Sequence, residues 1–194
     1  MTLRPDLGVI AQAIAPASRV LDIGCGDGAL LAHLRDGKQV DARGMDIDGV
    51  CVERCVAQGL SVVQGDANRD LADYADKGFD YTVLSQTLQT ATRPDLMLDQ
   101  LLRVGHQAFV SFPNFAHWRT RSALMLGGRM PVTRAIPVSW YETPNIHHVT
   151  VKDFRELARD KGAHIEREWF FADGKPVARG SNWRAEFAVF QLSR

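Results

Sequence analysis

The chain has 194 residues, of which 45% are hydrophobic and 24% are charged, a composition typical of one globular domain. Its 23 basic residues balance 23 acidic ones, so no net charge draws it towards nucleic acid or an anionic membrane. There is no apolar run of membrane-spanning length, no hydrophobic signal-type run at the start, and no disulfide-like spacing of the three cysteines. We therefore expect one cytoplasmic domain over residues 1–194 with reduced thiols.

Short β-type runs alternate with helical runs up to residue 112, which predicts an α/β fold with a mainly parallel sheet. The segment before Gly78 is rich in aspartate and is interpreted as turns. In chain order, the predicted elements are a helix over about 5–15, strand Arg19–Ile23, a helix over about 28–36, a strand over about 39–45, a helix over about 48–58, a strand over about 60–64, strand Phe79–Ser85, a helix from Pro94 and a strand over about 107–112.

The pattern changes after residue 112. Residues 113–149 are rich in proline and glycine and too long for a plain connection, so they predict a lid, a substrate wall or a partner surface. A helix is expected after Thr150. The last two strands, Ile165–Phe171 and Ala185–Leu192, have no helix between them, which predicts antiparallel pairing. The whole pattern predicts a seven-stranded, mostly parallel sheet with helices on both faces and a reversed last strand.

Three alternating glycines join the first strand to the following helix, and aspartates lie in that strand and after the next two. The glycines are Gly24, Gly26 and Gly28, and the aspartates are Asp22, Asp46 and Asp66. Glycine allows a sharp turn and the close approach of a ligand to the main chain. Because the carboxyl ends of parallel strands lie side by side, the three carboxylates should meet at one crevice. This pattern predicts a site for a nucleoside-like ligand.

Charge favours one class of nucleoside. The run from Gly24 to Ala29 also satisfies the dinucleotide fingerprint, which is weak evidence by itself. Asp22 and Asp27 would repel a pyrophosphate, whereas S-adenosylmethionine has no phosphate and carries a positive sulfonium and amino group. None of the three tyrosines has a lysine four residues later, as a short-chain reductase would require. A nicotinamide-dependent reductase is therefore the least favoured alternative.

These motifs resemble the first three ligand-binding motifs of class I S-adenosylmethionine-dependent methyltransferases. The resemblance implies a Rossmann-like class I methyltransferase fold and S-adenosylmethionine or S-adenosylhomocysteine as cofactor. It assigns the glycine loop to the methionine part, the second aspartate to the ribose, the third to the adenine edge, and the end of the fourth strand to the methyl-transfer side. The implied cofactor-binding residues are Asp22, Gly24, Cys25, Gly26, Gly28, Asp46, Ile47, Asp66, Ala67, Ser85 and Gln86.

No residue stands out as a catalytic base, and methyl transfer can proceed by positioning alone. The segment Leu84–Gln89 has glutamines where many small-molecule methyltransferases carry histidine. It also lacks the Asn-Pro-Pro-Tyr, Asp-Pro-Pro-Tyr and Pro-Cys elements of nucleic-acid methyltransferases. If the protein is an active methyltransferase, we expect a small acceptor and no nucleic acid. The candidate acceptor contacts are Asn114, His117, Arg119 and Arg129.

Four further segments resemble the MetW family of methionine-biosynthesis proteins, and this similarity extends from the glycine loop through the last strand. The segments are Leu84–Gln89, Phe112–Phe115, Gly127–Pro131 and Trp140–His147. The resemblance implies a partnership with homoserine O-acyltransferase. It also implies that residues 113–149 serve binding.

Several residues have both a structural and a functional interpretation. Cys25 is better explained as a small residue in a tight turn than as a nucleophile. Cys51 and Cys55 are better explained as residues that pack within a helix than as half of a metal site, so no metal is predicted. One of the adjacent His147 and His148 could face the cleft.

The middle of the chain is positively charged, because residues 100–141 contain five arginines and no acid. The arginines either form a solvated face or meet an acidic substrate or partner. The aromatic residues of this region are either core residues or interface anchors. The arginines are Arg103, Arg119, Arg121, Arg129 and Arg134, and the aromatics at issue are Trp118, Trp140 and Tyr141.

Three functions remain open from the sequence. The first is an accessory protein that binds S-adenosylmethionine in the crevice and the acyltransferase through residues 113–149. The second is an active methyltransferase on a small molecule, and the third is the reductase. Cofactor binding separates the third from the others, and co-purification with the acyltransferase favours the first.

Overall fold

The computed structural model describes residues 3–133 and 136–194. In chain order, the elements are α1 (Pro5–Ala13), β1 (Arg19–Ile23), α2 (Ala29–Lys38), β2 (Asp41–Asp46), α3 (Gly49–Ala57), β3 (Ser61–Gln64), α4 (Ala67–Asp70), β4 (Phe79–Ser85), α5 (Pro94–Val104), β5 (Gly105–Pro113), α6 (Trp118–Gly127), α7 (Val151–Asp160), β6 (His164–Ala172), β7 (Lys175–Pro176), α8 (Ser181–Arg184) and β8 (Phe187–Ser193). Two 3₁₀ turns cover Leu71–Asp73 and Leu88–Thr90. No helix in these ranges is long and apolar enough to cross a membrane.

The strands form one sheet in the order β3-β2-β1-β4-β5-β8-β6-β7. The first five strands in the chain pair in parallel, and β8 runs antiparallel to both β5 and β6. The predicted mostly parallel α/β sheet with a reversed last strand is confirmed. Because β1 and β4 lie in the middle of the sheet, their carboxyl ends are adjacent, and this is where the glycine loop begins.

Alternate residues of β5 support two hydrophobic layers, one on each face of the sheet. Val110 and Phe112 pack on the side of α5 and α7, where Phe112 lies 4.8 Å from Phe154, measured between ring centroids. Phe109 packs on the opposite face with Ile10 of α1 and with α2. Helices therefore cover both faces, as predicted, and α1 is part of the core rather than a loose extension.

The sheet has eight strands instead of the predicted seven. The additional strand, β7, has only two residues and forms a hairpin with the end of β6. Asp173 and Gly174 make the turn, and both have positive φ angles, of 50° and 72°. An Asp-Gly pair with two such angles is a favoured two-residue hairpin turn. This dipeptide was the sequence signal that could have predicted the hairpin.

Two segments interpreted as irregular contain short helices. Asp66 caps α4 by accepting a hydrogen bond from the backbone N–H of Asn68, so part of the expected turn region before Gly78 is helical. The long segment 113–149 contains α6, in which only Thr120 is buried. Because α6 has no apolar stripe facing the core, it lacks the periodicity by which a helix is recognised from sequence.

Lys38 holds the end of α1 in place. Its Nζ donates to the carbonyl oxygens of Ala11 and Ile14, at 2.6 Å each, and of Gln12 at 3.2 Å. These carbonyls lack partners within the helix, so a cation there is favourable. We predict that Lys38→Met lowers the free energy of unfolding by about 1–2 kcal/mol in urea denaturation. The control is Lys152→Met at an exposed lysine, and an equal loss in both variants would contradict this role.

Candidate functional site

A cavity of about 390 Å³ lies at the carboxyl ends of β1 and β4. Three parts of the chain form its wall: the glycine loop after β1, the turn after β4, and the start of α1. The lining residues are Leu3, Arg4, Leu7, Asp22, Gly24, Cys25, Gly26, Asp27, Ala29, Leu30, Ser85, Gln86 and Thr87. A crevice therefore lies at these strand ends, with α1 as an additional wall, but of the three carboxylates expected to meet there Asp22 alone lines it.

The glycines of the loop serve two different purposes. A Cβ atom at Gly24 would lie 2.4 Å from Thr87 Oγ1, and one at Gly28 would lie 2.5 Å from Leu60 Cδ1, so both positions are closed by protein packing. A Cβ atom at Gly26 would meet nothing within 4 Å. Gly26 therefore presents bare main chain to open space, which is the arrangement that lets a ligand approach a backbone closely.

Asp22 is the most unusual group of the cavity. Its side chain borders the cavity although the residue is only 2% exposed, and its Oδ1 has no hydrogen-bond partner in the described part of the chain. Burial raises the pKa of this carboxyl to about 7. The charge of Arg4 opposes this rise, and the charges of Asp46 and Asp6 add to it. A buried, unpaired carboxylate is costly, so a cation in the cavity would be stabilised next to it.

Asp46 joins the end of β2 to the glycine loop. Its Oδ2 accepts a hydrogen bond of 2.7 Å from the N–H of Gly26, and its Oδ1 accepts one of 2.9 Å from the N–H of Asp48. Asp46 does not line the cavity, but its carboxylate holds the backbone of Gly26, which does. Its neighbour Ile47 is exposed beside the loop.

Asp66 and Ala67 line a different space, an open groove of about 450 Å³ that is also bordered by residues of α5. The Asp66 carboxylate accepts hydrogen bonds from the backbone and side-chain nitrogens of Asn68, which hold its pKa below the usual value. The structure thus divides the residues expected to bind cofactor into three groups. Asp22, Gly24, Cys25, Gly26, Ser85 and Gln86 line the cavity; Gly28, Asp46 and Ile47 lie behind or beside the loop; and Asp66 and Ala67 border the groove.

A buried polar network beneath the cavity was missed by the sequence analysis. Oδ2 of Asp6, in the first turn of α1, accepts hydrogen bonds from Ser85 Oγ at 3.0 Å, Ser111 Oγ at 3.1 Å and Arg4 Nη2 at 3.3 Å. Arg4 Nη2 also lies 3.0 Å from Ser85 Oγ. The network binds α1 to the ends of β4 and β5. Acidic residues are common in the first turn of a helix because they interact favourably with the helix dipole. The position of Asp6 in the sequence therefore did not indicate that it joins α1 to β4 and β5.

The turn after β4 is strained at the edge of the cavity. Gln86 has a φ of 52°, a left-handed conformation that is unfavourable for a residue with a side chain. Ser111 holds it there, since its carbonyl and hydroxyl oxygens accept from the N–H of Gln86 at 2.9 and 3.2 Å. Gln89 Nε2 donates to the carbonyl of Gln86 at 2.6 Å. Strain of this kind is concentrated at functional sites.

The cysteines have the geometry of packing residues. Cys25 is buried, and burial raises the pKa of its thiol, which disfavours the nucleophilic thiolate. Cys55 is also buried and its Sγ lies 3.3 Å from the carbonyl of Gly26, whereas Cys51 is partly exposed. Over 3–133 and 136–194, no three His, Cys, Asp or Glu residues are grouped so as to hold a metal ion.

The expected acceptor contacts lie away from the cavity. The Asn114 amide is occupied by the protein, since it donates to the carbonyls of Ala185 and Asn182 and accepts from two backbone N–H groups. His117 is buried, which lowers its pKa, and Arg119 pairs with Glu186 at 3.3 Å.

The remaining residues singled out in the middle of the chain take different positions. Arg129 is exposed, and the expectation for Arg134 lies outside the described residues. His147 and His148 line a separate pocket beside α7, not the 390 Å³ cavity. Trp118, Trp140 and Tyr141 are exposed rather than core residues.

The fold and the glycine-loop crevice define the class: the chain has the fold of class I S-adenosylmethionine-dependent methyltransferases. A methyltransferase of this type from Archaeoglobus fulgidus superposes with a TM-score of 0.74 and 15% identity, covering 98% of this chain and 92% of that one. The [4+2]-cyclase SpnF superposes with a TM-score of 0.70 and 14% identity, covering 97% and 80%.

Sequence similarity identifies the family. Residues 4–192 match the family described as methionine biosynthesis protein MetW. The bifunctional methionine biosynthesis protein MetXA/MetW of Rhodopirellula baltica is 35% identical over 208 residues, covering 100% of this chain and 33% of that protein. The chain belongs to the MetW family, which confirms the predicted resemblance, and it spans about a third of the length of that relative.

The buried charge of Asp22 predicts a pH-dependent stability. Its folded-state pKa of about 7 lies well above the usual value for an aspartate, so its contribution to stability is complete at low pH and is lost as the pH rises towards 7. Asp22→Asn removes the charge. In the absence of ligand, we therefore expect the gain in stability of the variant over the wild type to be larger at pH 8 than at pH 5, by about 1–3 kcal/mol.

Urea denaturation at both pH values measures this difference. Asp73→Asn, at an exposed aspartate, is the control and should show no such dependence. A gain of the same size at pH 5 and pH 8 would contradict the burial of an unpaired charge.

Proposed function

We propose that this protein binds S-adenosylmethionine or S-adenosylhomocysteine in the 390 Å³ cavity and acts as an accessory protein of a homoserine O-acyltransferase in methionine biosynthesis. The observation that carries the cofactor assignment is the buried carboxylate of Asp22, which lines the cavity and whose Oδ1 has no hydrogen-bond partner among the described residues. A ligand with a positive amino group and a sulfonium would supply the missing opposite charge.

Gly26 in the cavity, Asp46 behind the loop and the separate groove at Asp66 and Ala67 provide the further contacts proposed for the same ligand. Gly26 leaves its Cβ direction open, so the methionine part can lie against the main chain. Asp46 Oδ2 and Oδ1 each accept a single hydrogen bond from a backbone N–H, which leaves lone pairs for ribose hydroxyls. Asp66 and Ala67 remain the proposed adenine contacts. When bound, S-adenosylmethionine would supply an electrophilic methyl group, and the turn at Ser85 and Gln86 would border it.

Isothermal titration calorimetry tests the cofactor. We expect S-adenosylhomocysteine to bind and NAD to give no signal, because the cavity presents carboxylates where NAD carries phosphates. Asp46→Ala should weaken binding by about tenfold or more, since it releases Gly26 and removes the proposed ribose contact. Val56→Asp, at an exposed position on α3, should bind like the wild type. NAD binding, or normal affinity in Asp46→Ala, would contradict the assignment.

The proposed partner follows from the family. The Rhodopirellula relative joins MetXA and MetW parts in one chain, and a covalent link of this kind raises the effective concentration of two modules that act together. We propose that the present domain likewise acts together with a homoserine O-acyltransferase. The cytoplasmic location and the lack of a nucleic-acid partner stay predictions.

Co-purification tests the partnership. The tagged protein should retain the homoserine O-acyltransferase of the same organism when the two are co-expressed, and the acyltransferase rate should change on addition of this protein. The control is Asp46→Ala in the same experiment, which should still co-purify if binding does not require cofactor. Complete absence of co-purification would overturn the accessory role.

A second candidate function is methyl transfer to a small molecule, favoured by one observation. A smaller cavity of about 170 Å³ shares Arg4 and Gln86 with the cofactor cavity and is walled by Phe171, Phe187 and Glu186. This space lies where a small acceptor could border the turn after β4. Release of S-adenosylhomocysteine from S-adenosylmethionine with a pool of cell metabolites, without any acyltransferase, would favour the enzyme over the accessory protein.

A further inference from the structure

One stretch of the chain concentrates the exposed apolar side chains. Of the fourteen large hydrophobic residues found exposed in the described ranges, eight lie between residues 118 and 146. On α6, Met125 and Leu126 are 79% and 82% exposed, and Trp140 and Tyr141 are 72% and 71% exposed. Apolar side chains that are this exposed and this concentrated in one segment are typical of an interaction surface.

Helix α6 has no core of its own to stabilise it. Thr120 is its single buried residue, and ten residues are too few for a stable isolated helix in water. On or next to α6, Arg121 and Arg129 are exposed, and the sequence has no acid between Gln100 and Tyr141. Arg103 and Arg119 of the same stretch are paired within the protein, with Asp76 and Glu186. The arrangement fits a protein partner that presents an apolar patch with an acidic rim.

The second part of this surface is the strap, defined here as residues 136–147. Apart from the bonds between Ile136 and Thr133, which lies just before it, the strap has hydrogen bonds to the rest of the described chain at one residue. The N–H groups of Ile146 and His147 both donate to the carbonyl oxygen of Gln89, each at 3.0 Å. The other hydrogen bonds of the strap are local, such as those from Glu142 N–H and Thr143 N–H to the Ser139 carbonyl.

Gln89 also contacts the turn that walls the cofactor cavity. It is buried, its Nε2 donates to the carbonyl of Gln86, and its Oε1 has no partner among the described residues. Gln86 and Thr87 line the cavity, and Thr87 packs directly against Gly24 of the glycine loop. One residue therefore connects the cavity wall to the strap: the Gln89 side chain holds the turn, and the Gln89 main-chain carbonyl holds the strap.

We propose that α6 and the strap form the docking surface for the homoserine O-acyltransferase, and that Gln89 transmits cofactor occupancy to this surface. The proposal rests on the proposed function. A ligand that moves the turn at Gln86 and Thr87 would move the carbonyl that holds the strap, and so change the affinity of the surface for its partner. Coupling of this kind is reciprocal, so the partner must change cofactor affinity by the same factor.

The surface is tested by measuring acyltransferase affinity with immobilised wild-type protein and variants. Met125→Asp and Leu126→Asp should each weaken binding by about tenfold or more, since they place a charge in the apolar contact and towards an acidic rim. Val56→Asp makes the same change at an exposed apolar residue elsewhere and should bind normally. Normal binding by both α6 variants overturns the docking surface.

The coupling is tested with Gln89→Met, which keeps the size of the side chain and the backbone carbonyl but removes the bond to Gln86. In the wild type, we expect S-adenosylhomocysteine to change partner affinity by about fivefold or more, and the partner to change S-adenosylhomocysteine affinity equally. Whatever the two individual affinities of Gln89→Met, the ratio by which each ligand changes the affinity for the other should fall to about one in this variant. An unchanged mutual effect in this variant overturns the role of Gln89.

The outcomes separate the two proposals. If the wild type binds no acyltransferase, the proposed function fails. If the wild type binds and the α6 variants bind equally well, the proposed function stands and the docking surface fails. Sedimentation of the free protein gives the remaining alternative: if Met125→Asp dissociates a dimer and leaves acyltransferase binding unchanged, the surface joins two copies of this chain.

Discussion

The site depends on the buried carboxylate of Asp22, whose Oδ1 has no hydrogen-bond partner in residues 3–133 and 136–194. Asp22 is enclosed because β1 lies in the middle of the sheet, with neighbours on both sides and helices on both faces. Desolvation raises the pKa of the Asp22 carboxyl, so this group is partly protonated in the free protein at neutral pH. A bound cation would reverse that balance. In the proposed site, the unfavourable burial of the acid in the free protein would therefore favour a positive ligand over a phosphate-bearing one.

The start of α1 completes this site from the opposite side. Arg4 borders the cavity and is the positive group that opposes the rise in the Asp22 pKa, while Asp6 is held by the hydroxyls of β4 and β5. The charges thus alternate across the cavity from the strand to the helix. Because Lys38 fixes the other end of α1, the position of Arg4 is set by contacts at both ends of the helix.

Much of the sheet could be predicted from the sequence, because buried strands require runs of apolar residues that can be recognised there. The bounds of Arg19–Ile23 and Phe79–Ser85 agree with the prediction, because both strands are apolar runs that end in polar or glycine-rich turns. The glycine loop and Asp22 were also predicted together at the crevice. By contrast, Asp6 is hydrogen-bonded to Ser85 and Ser111, which lie 79 and 105 positions further along the chain. No local sequence pattern indicates pairing over such distances. Asp66 was expected at the same crevice, yet it caps α4 and lines another groove.

Similarity of fold restricts the chemistry less than similarity of site does. The same architecture is shared with a protein named as a methyltransferase and with one named as a [4+2]-cyclase, so the sheet order alone does not select a reaction. In this chain the cavity beside Asp22 and the apolar surface of α6 and the strap are connected through Gln89. An enzyme needs the cavity and a second space for its acceptor, whereas an accessory protein needs the cavity and the surface. In the proposed accessory role, the exposed apolar side chains of α6 would have a direct use as a docking surface, and partner binding would stabilise a helix that has a single buried residue.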